Sequence, residues 1–200
     1  MKEDKEIIEF LKSFQKELSG FFGINVELPM VSFINSRKEI DKIWGRKTEE
    51  WFVAWAKDNN IFILNPKIYT KESSHKNIEH FWKVLKHEYS HLYYKEITNN
   101  GRPKWLNEGL ACYLANQVKE KPTKKESLKI FEYYQKGDWL VYRVGYFWVK
   151  LLIDKFGKKK LLKLLKKMNS QTAEKEFAKI FYRVYGFKFS EEEFNKIFEV

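Results

Sequence analysis

Residues 87–91 of the chain read H-E-Y-S-H, and they lie inside a periodic run that predicts a helix over residues 75–97. Positions four residues apart lie one turn apart on the same face of a helix, so His87 and His91 can bind one metal ion together. Glu88 is rotated by about 100° from His87 around the helix axis. Its carboxylate is therefore better placed to take a proton from a water molecule on that ion than to bind the ion itself.

The predicted helix has two distinct faces. Large apolar residues recur at a spacing of three or four and form a core stripe, namely Ile78, Phe81, Trp82, Leu85, Tyr89 and Leu92. His87 and His91 fall on a different side, together with Val84. An H-E-x-x-H pattern also arises by chance, in roughly one of a hundred sequences of this composition. The separate face of the histidines is what favours a metal site over an ordinary core helix.

A third ligand follows the histidines closely, in residues 105–111, which read W-L-N-E-G-L-A. A loop near residues 99–101 predicts two antiparallel helices, and this arrangement brings Glu108 back beside His91. Catalytic zinc takes three protein ligands and keeps a fourth position open for water. Two histidines and one glutamate meet this requirement, so we expect one Zn²⁺ per chain.

The combination of H-E-x-x-H with W-L-N-E-G-L-A resembles the gluzincin metallopeptidases, the clan of thermolysin and aminopeptidase N. It is most similar to the small peptidase MA-like domains, which carry W-L-x-E-G-x-A. The resemblance extends over about residues 50–165. It implies a zinc-dependent hydrolase that cleaves peptide bonds of a peptide or protein substrate with metal-activated water. His87, His91 and Glu108 would be the ligands and Glu88 the general base.

The resemblance also implies a substrate-binding strand. Relatives carry an apolar edge strand before the H-E-x-x-H helix, and the backbone of that strand aligns the peptide substrate by hydrogen bonds. The corresponding position here is occupied by Ile61, Phe62, Ile63 and Leu64. A buried core strand is the alternative interpretation of the same four residues, and the two roles can coexist.

A Tyr-x-x-Gly motif at the start of a later helix supplies the oxyanion donor in these relatives. Tyr142 and Gly145 match this motif, and an apolar stretch continues the predicted helix behind them. The resemblance therefore implies that the Tyr142 hydroxyl stabilises the tetrahedral oxyanion as a second catalytic group. Tyr146, one turn later, is the alternative donor.

The sequence departs from the family pattern in two places. Aminopeptidases of this clan bind the amino terminus of the substrate with a glutamate in a G-x-M-E-N-type segment, whereas residues 58–62 contain no glutamate. Aminopeptidase specificity is therefore not expected. Relatives also place an acidic residue four positions after the ligand glutamate, where it orients a ligand histidine. Cys112 stands at that position, so we expect Asn107 to support the ligands instead.

The fold predicted from these patterns is α+β and zincin-like, with one catalytic domain over residues 1–200. Residues 1–72 form a small mixed α/β N-terminal lobe that contains the edge strand. Two apolar runs around residues 57–60 predict a hairpin in this lobe. Residues 73–119 form the metal-binding helix pair, and residues 120–200 form an all-helical C-terminal lobe. The active-site cleft is expected between the two lobes.

Periodicity and caps predict the remaining elements. Helices are expected over residues 3–19, 37–44, 103–119, 124–136, 140–156, 158–168, 172–184 and 190–199, and β structure within 24–34. Gly137, Gly157 and Gly186 are natural helix stops.

Composition narrows the class of protein. Hydrophobic residues make up 44% of the chain and aromatic residues 18%, which is typical of a packed globule. The 38 Lys and Arg residues exceed the 27 Asp and Glu residues, so the formal net charge is +11. The lysines alternate with glutamates at helical spacing, as on solvated helix faces, so no nucleic-acid partner is expected.

Cys112 is the single cysteine, so no disulfide can form within the chain. The first residues lack the apolar region of a signal peptide, and no apolar run is long enough for a membrane span. We therefore expect a cytoplasmic protein. The second candidate function is a catalytically weak or inactive peptidase-like binding module. The retained Glu88 argues against it, because binding alone needs no base.

Overall fold

The computed structural model describes residues 2–99 and 101–198. Within them the fold is α+β and mostly helical, as predicted. The helices are α1 (Lys2–Phe22), α2 (Arg37–Trp44), α3 (Pro66–Glu72), α4 (Glu79–Thr98), α5 (Lys104–Leu114), α6 (Lys124–Ser127), α7 (Val141–Phe156), α8 (Lys158–Lys166), α9 (Glu174–Tyr185) and α10 (Glu191–Phe198), with a 3-10 helix over Leu128–Phe131. The strands are β1 (Met30–Ile34), β2 (Ala54–Lys57) and β3 (Asn60–Leu64).

Helix ends agree with the predictions where a glycine supplies the cap. α9 stops at Gly186, whose φ of 87° is left-handed backbone that glycine adopts without strain. Three predictions are wrong in extent. α4 begins at Glu79, four residues after the predicted start at residue 75. α5 ends at Leu114 instead of near residue 119, and the predicted helix over residues 124–136 is broken into α6 and the 3-10 helix, which ends at Phe131.

α3 is a helix that periodicity alone did not indicate, because it spans only seven residues. Its start has a clear local cause. Pro66 occupies the first turn, where its missing N–H leaves no donor unsatisfied. The Asn65 side chain accepts a hydrogen bond from the Lys67 backbone N–H and caps the helix.

The sheet has the strand order β1-β3-β2. β2 and β3 are antiparallel and form the predicted hairpin, with Trp55 paired to Phe62. Asp58 and Asn59 make the turn with φ values of 49° and 56°. Two consecutive positive φ values are the signature of the tight turn that matches the twist of a hairpin, and Asp and Asn tolerate them well.

The prediction that residues 61–64 form an edge strand is wrong. β3, which contains Ile61 to Leu64, is the central strand, because β1 pairs with it in parallel on the side away from β2. The physical reason is a non-local pairing. Val31 aligns with Ile61 and Phe33 with Ile63 across a long intervening segment that includes α2. Ile61 and Ile63 are fully buried, so the core-strand interpretation holds.

The chain divides into two compact units, one ending at Leu92 and the other beginning at Tyr93. This boundary falls inside α4, which continues through it without interruption. The first unit contains α1, α2, α3, the sheet and most of α4. The division into segments 1–72, 73–119 and 120–200 stays a prediction.

In the first unit, the core stripe of α4 packs as predicted near Tyr89. Tyr89 is fully buried and its ring centroid lies 6.4 Å from that of Phe14 on α1. Its hydroxyl donates to the carbonyl oxygens of Val26 and Glu27 at 3.0 and 3.1 Å. These contacts fix the rotation of α4 about its axis. Ile78, the first residue of the predicted stripe, lies before the helix and is exposed.

In the second unit, an aromatic core holds the helices together. Trp105, Trp148, Phe177, Phe181 and Phe194 are all fully buried. The indole N–H of Trp148 donates to the Ser127 carbonyl oxygen at 2.8 Å, so this large side chain is buried with its polar atom paired.

None of the helices in residues 2–99 and 101–198 has the length and apolar character needed to cross a membrane.

Candidate metal centre

The two histidines of the motif lie on α4 as the spacing predicts. Their ring centroids are 4.7 Å apart, and the ring planes are inclined at 86°. His87 is buried, with 5% of its surface exposed, and His91 is half-buried. Both side chains thus leave the helix on one face, where each can present a ring nitrogen to a shared ligand.

Glu108 on α5 completes the group. Its carboxylate is buried, with 3% of the residue surface exposed. One ligand atom from each of His87, His91 and Glu108 lies within 4.8 Å of the other two. In the described part of the chain, no other set of three His, Cys, Asp or Glu side chains converges in this way. The three residues predicted to be ligands therefore form a buried group that could bind a metal ion.

The donor set fits a divalent transition-metal ion. Zinc binds imidazole nitrogen and carboxylate oxygen at about 2.0–2.2 Å, and tetrahedral geometry then puts neighbouring ligand atoms about 3.4 Å apart. Atoms that lie within 4.8 Å of one another reach that spacing by small side-chain adjustments. Three protein ligands also leave one coordination position open, as in catalytic sites.

The first turn of α5 determines how Glu108 is presented. The backbone N–H groups of Lys104 and Trp105 donate to the carbonyl oxygens of Tyr134 and Tyr133, at 2.8 and 3.1 Å. These bonds satisfy two of the donors that a helix leaves unpaired at its start. They also fix the position of the helix end one turn before Glu108.

Lys104 is a residue of the site that the sequence analysis missed. Its ammonium nitrogen lies 2.5 Å from Oε1 of Glu108, as an ion pair between residues four apart on α5. The signal was present in the sequence as K-x-x-x-E, a spacing that brings opposite charges together on a helix. Lys104 directly precedes the W-L-N-E-G-L-A stretch, so the motif contains Glu108 but not its helical neighbour.

α5 and α7 contact each other backbone to backbone. A Cβ atom placed on Gly109 would lie 2.2 Å from the carbonyl carbon of Gly145, and one placed on Gly145 would lie 2.3 Å from the Trp105 carbonyl oxygen. Only glycine allows this approach. Since Glu108 is adjacent to Gly109, and Tyr142 is one turn before Gly145, both lie close to the crossing point.

The two candidate oxyanion donors differ in burial. Tyr142, in the first turn of α7, is half-buried, and Tyr146 is buried with 9% of its surface exposed. Between them, Arg143 forms an ion pair with Glu126. Hydrogen bonds from the backbone and side chain of Thr123, together with Arg143, hold the pKa of Glu126 below its usual range. This pair ties the start of α7 to the cap of α6, and the catalytic role of Tyr142 stays a prediction.

Tyr133 connects the starts of α5 and α7. Its carbonyl accepts from Trp105, and its hydroxyl donates to Asp138 at 2.7 Å. Asp138 also accepts from the Leu140 backbone N–H at 2.8 Å, just before α7 begins. The Tyr133 hydrogen bond, more than any other interaction, lowers the pKa of Asp138 from its ordinary value. The ionised carboxylate therefore helps to hold the two helix ends in place.

Three further residues named by the sequence, Glu88, Asn107 and Cys112, lie on α4 and α5. Glu88 is buried on α4, with 9% of its surface exposed. The Asn107 amide donates to the Gly101 carbonyl oxygen at 3.1 Å, so it braces the chain before α5, and its predicted support of the ligands stays a prediction. Cys112 is buried, and its sulfur lies 3.5 Å from Oε1 of Gln117.

The predicted substrate strand lacks a free edge. The residues Ile61, Phe62, Ile63 and Leu64 belong to β3, whose neighbours on both sides are strands of the same sheet. Backbone alignment of a peptide needs N–H and C=O groups that no neighbouring strand occupies. The expectation that these residues form an exposed strand edge is therefore wrong.

Comparisons with models of known protein families, with curated proteins and with solved structures found no match.

Proposed function

We propose that this chain is a zinc-dependent metallopeptidase of the gluzincin type, with a zincin-like fold. The convergence of His87, His91 and Glu108 into one buried group carries the proposal. Three observations agree with it. The donor atoms are of the types that zinc prefers, their number leaves a position open, and a fourth polar residue, Glu88, lies beside His87 on the same helix.

A divalent ion at this group would supply Lewis-acid chemistry, which polarises a peptide carbonyl and acidifies a water molecule. The chain's own residues perform the proton transfers. Glu88 accepts the proton of the attacking water and returns it to the leaving amine. Its low exposure suits this role, because bulk water is then kept away from the carboxylate. The Tyr142 hydroxyl donates a hydrogen bond to the oxyanion that forms on the carbonyl.

Peptide alignment, if it uses this sheet, involves strands other than β3. An extended peptide can add only to the outer side of β1 or of β2, since these are the edges of the sheet. Substrate residues would then pair with Met30–Ile34 or with Ala54–Lys57.

The proposal is tested by metal analysis together with cleavage of a peptide library. We expect about one zinc ion per chain, and peptide cleavage that 1,10-phenanthroline abolishes and added zinc restores. The non-chelating isomer 1,7-phenanthroline is the matched control. Purified protein that binds no divalent metal would contradict the proposal at its first step.

A metal-binding module without turnover is the second candidate. The pairing of β3 on both sides favours it, because the strand expected to align a substrate has no free edge. Full zinc occupancy with no cleavage anywhere in a broad peptide library would support this alternative. Cleavage that depends on Glu88 would exclude it.

A further inference from the structure

Glu108 forms an ion pair with a lysine of its own helix. The Lys104 ammonium lies 2.5 Å from Glu108 Oε1, and the side chain of Glu108 is only 4% exposed. Burying a charged carboxylate is costly, and the Lys104 ammonium offsets part of that cost while no metal is bound. The pair joins residues four apart within α5, so the helix itself brings the two side chains within reach of each other.

A bound metal would bring a second positive charge to the carboxylate that Lys104 already pairs with. A divalent ion would sit about 2 Å from a Glu108 oxygen, and the lysine charge would then lie close to a second positive charge. The Lys104 side chain is 39% exposed. Its flexible stem allows the ammonium to move into water when the carboxylate is taken by the metal.

We propose that Lys104 is a placeholder cation: it neutralises and positions Glu108 in the metal-free protein, and it is displaced from the carboxylate when the metal binds. This inference rests on the metal site of the proposed function, but not on peptidase activity. The metal affinity then depends on the difference between two free energies, that of the metal bound to Glu108 and that of Lys104 paired with Glu108. Lys104 is thus a positioning residue that sets how tightly the ion is held.

The test uses Lys104→Met, which keeps much of the apolar stem and removes the charge. Zinc affinity is measured by competition with a chromophoric chelator, and Tm is measured in EDTA and in saturating zinc. We expect zinc to bind about tenfold more tightly, since the metal-free state loses a hydrogen bond between charged groups that the metal-bound state does not contain. In EDTA we expect a Tm roughly 5 °C lower, whereas in zinc it should match the wild type.

Three further variants make the result specific. Lys104→Arg keeps the charge and should bind zinc within about twofold of the wild type. Lys104→Gln removes the charge but keeps a hydrogen-bond donor, and it replaces Lys104→Met in the test if Lys104→Met does not fold without metal. Lys104→Gln should also bind zinc more tightly than the wild type. Lys150→Met breaks an ion pair of the same order and spacing, to Asp154 on α7, and should leave zinc affinity unchanged.

The outcomes separate this inference from the proposed function. Equal or weaker zinc binding by both uncharged variants, beside a wild type that binds zinc, would overturn the placeholder and leave the metal site intact. A Tm that falls equally with and without zinc would also overturn it, because it would assign Lys104 a purely structural role. A wild type that binds no zinc would overturn both the metal site and the placeholder.

Discussion

Gly109 of α5 and Gly145 of α7 lie so close together that a methyl group on either would overlap the backbone of the other helix. The nearest atoms belong to the backbone, which cannot rotate away as a side chain can. We therefore expect Gly109→Ala to destabilise the fold by about 3 kcal/mol or more, and to lower Tm by roughly 10 °C. Because Glu108 is adjacent, zinc affinity should fall as well.

Gly20 provides the matched control for this substitution. It lies in α1, and a Cβ placed on it would have no neighbour within 4 Å. Gly20→Ala should therefore raise stability by about 0.5 kcal/mol through its better helix propensity. Chemical denaturation of both variants checks the contrast. A Gly109→Ala protein as stable as the wild type would mean that the two helices do not meet at these glycines.

We expect the protein to lose its zinc when either ligand histidine is replaced. His87→Ala and His91→Ala each leave two protein ligands, too few for a stable catalytic zinc site. Elemental analysis after dialysis should show little bound metal, and added zinc should no longer raise Tm. His80→Ala is the control on the same helix. The His80 Nδ1 atom and the Tyr69 hydroxyl form a hydrogen bond of 2.9 Å. His80 is outside the ligand group, so this variant should keep its metal.

Glu88→Gln separates binding from catalysis. The amide keeps the shape of the side chain but cannot accept a proton at neutral pH, so we expect peptide cleavage to fall by about 100-fold or more. Zinc content and Tm should remain near the wild-type values, because Glu88 is outside the ligand group. Initial rates with a fluorogenic peptide measure the effect. Wild-type cleavage by this variant would show that another group is the base.

Tyr142→Phe and Tyr146→Phe decide which tyrosine serves the oxyanion. Loss of one oxyanion donor costs roughly 100- to 1000-fold in kcat, with little change in KM. We expect this loss in Tyr142→Phe and a much smaller one in Tyr146→Phe, with zinc content unchanged in both. Each substitution removes only a hydroxyl, so the pair is matched in size. The reverse order of effects would transfer the role to Tyr146.

Local patterns explain why the metal-binding helices could be predicted. His87 and His91 are four residues apart, and Glu108 follows within the next predicted helix, so one helical period and one short loop limit their relative positions. The hairpin around Asp58 and Asn59 was likewise predicted from adjacent residues. In each case the interacting groups are close in sequence, and backbone geometry leaves few alternatives.

Long-range contacts explain what could not be predicted. An apolar run such as Ile61–Leu64 has the same appearance at the edge and at the centre of a sheet, and only its parallel pairing with β1 distinguishes the two. The contact of Gly109 with Gly145 also joins distant segments, so neither glycine could be recognised as a packing site beforehand. Lys104 is different, since its partner is one helical turn away and the pair could have been found.

The sequence by itself determined the α+β class, the helix that carries His87 and His91, and the chemical types of the three candidate ligands. These features depend on side-chain period and composition, which the order of residues specifies directly. Only the tertiary structure decided that Glu108 comes within 4.8 Å of the histidines and that β3 is central. The convergence and the strand order depend on which distant surfaces bury each other, and the free energy of that burial is a property of the whole chain.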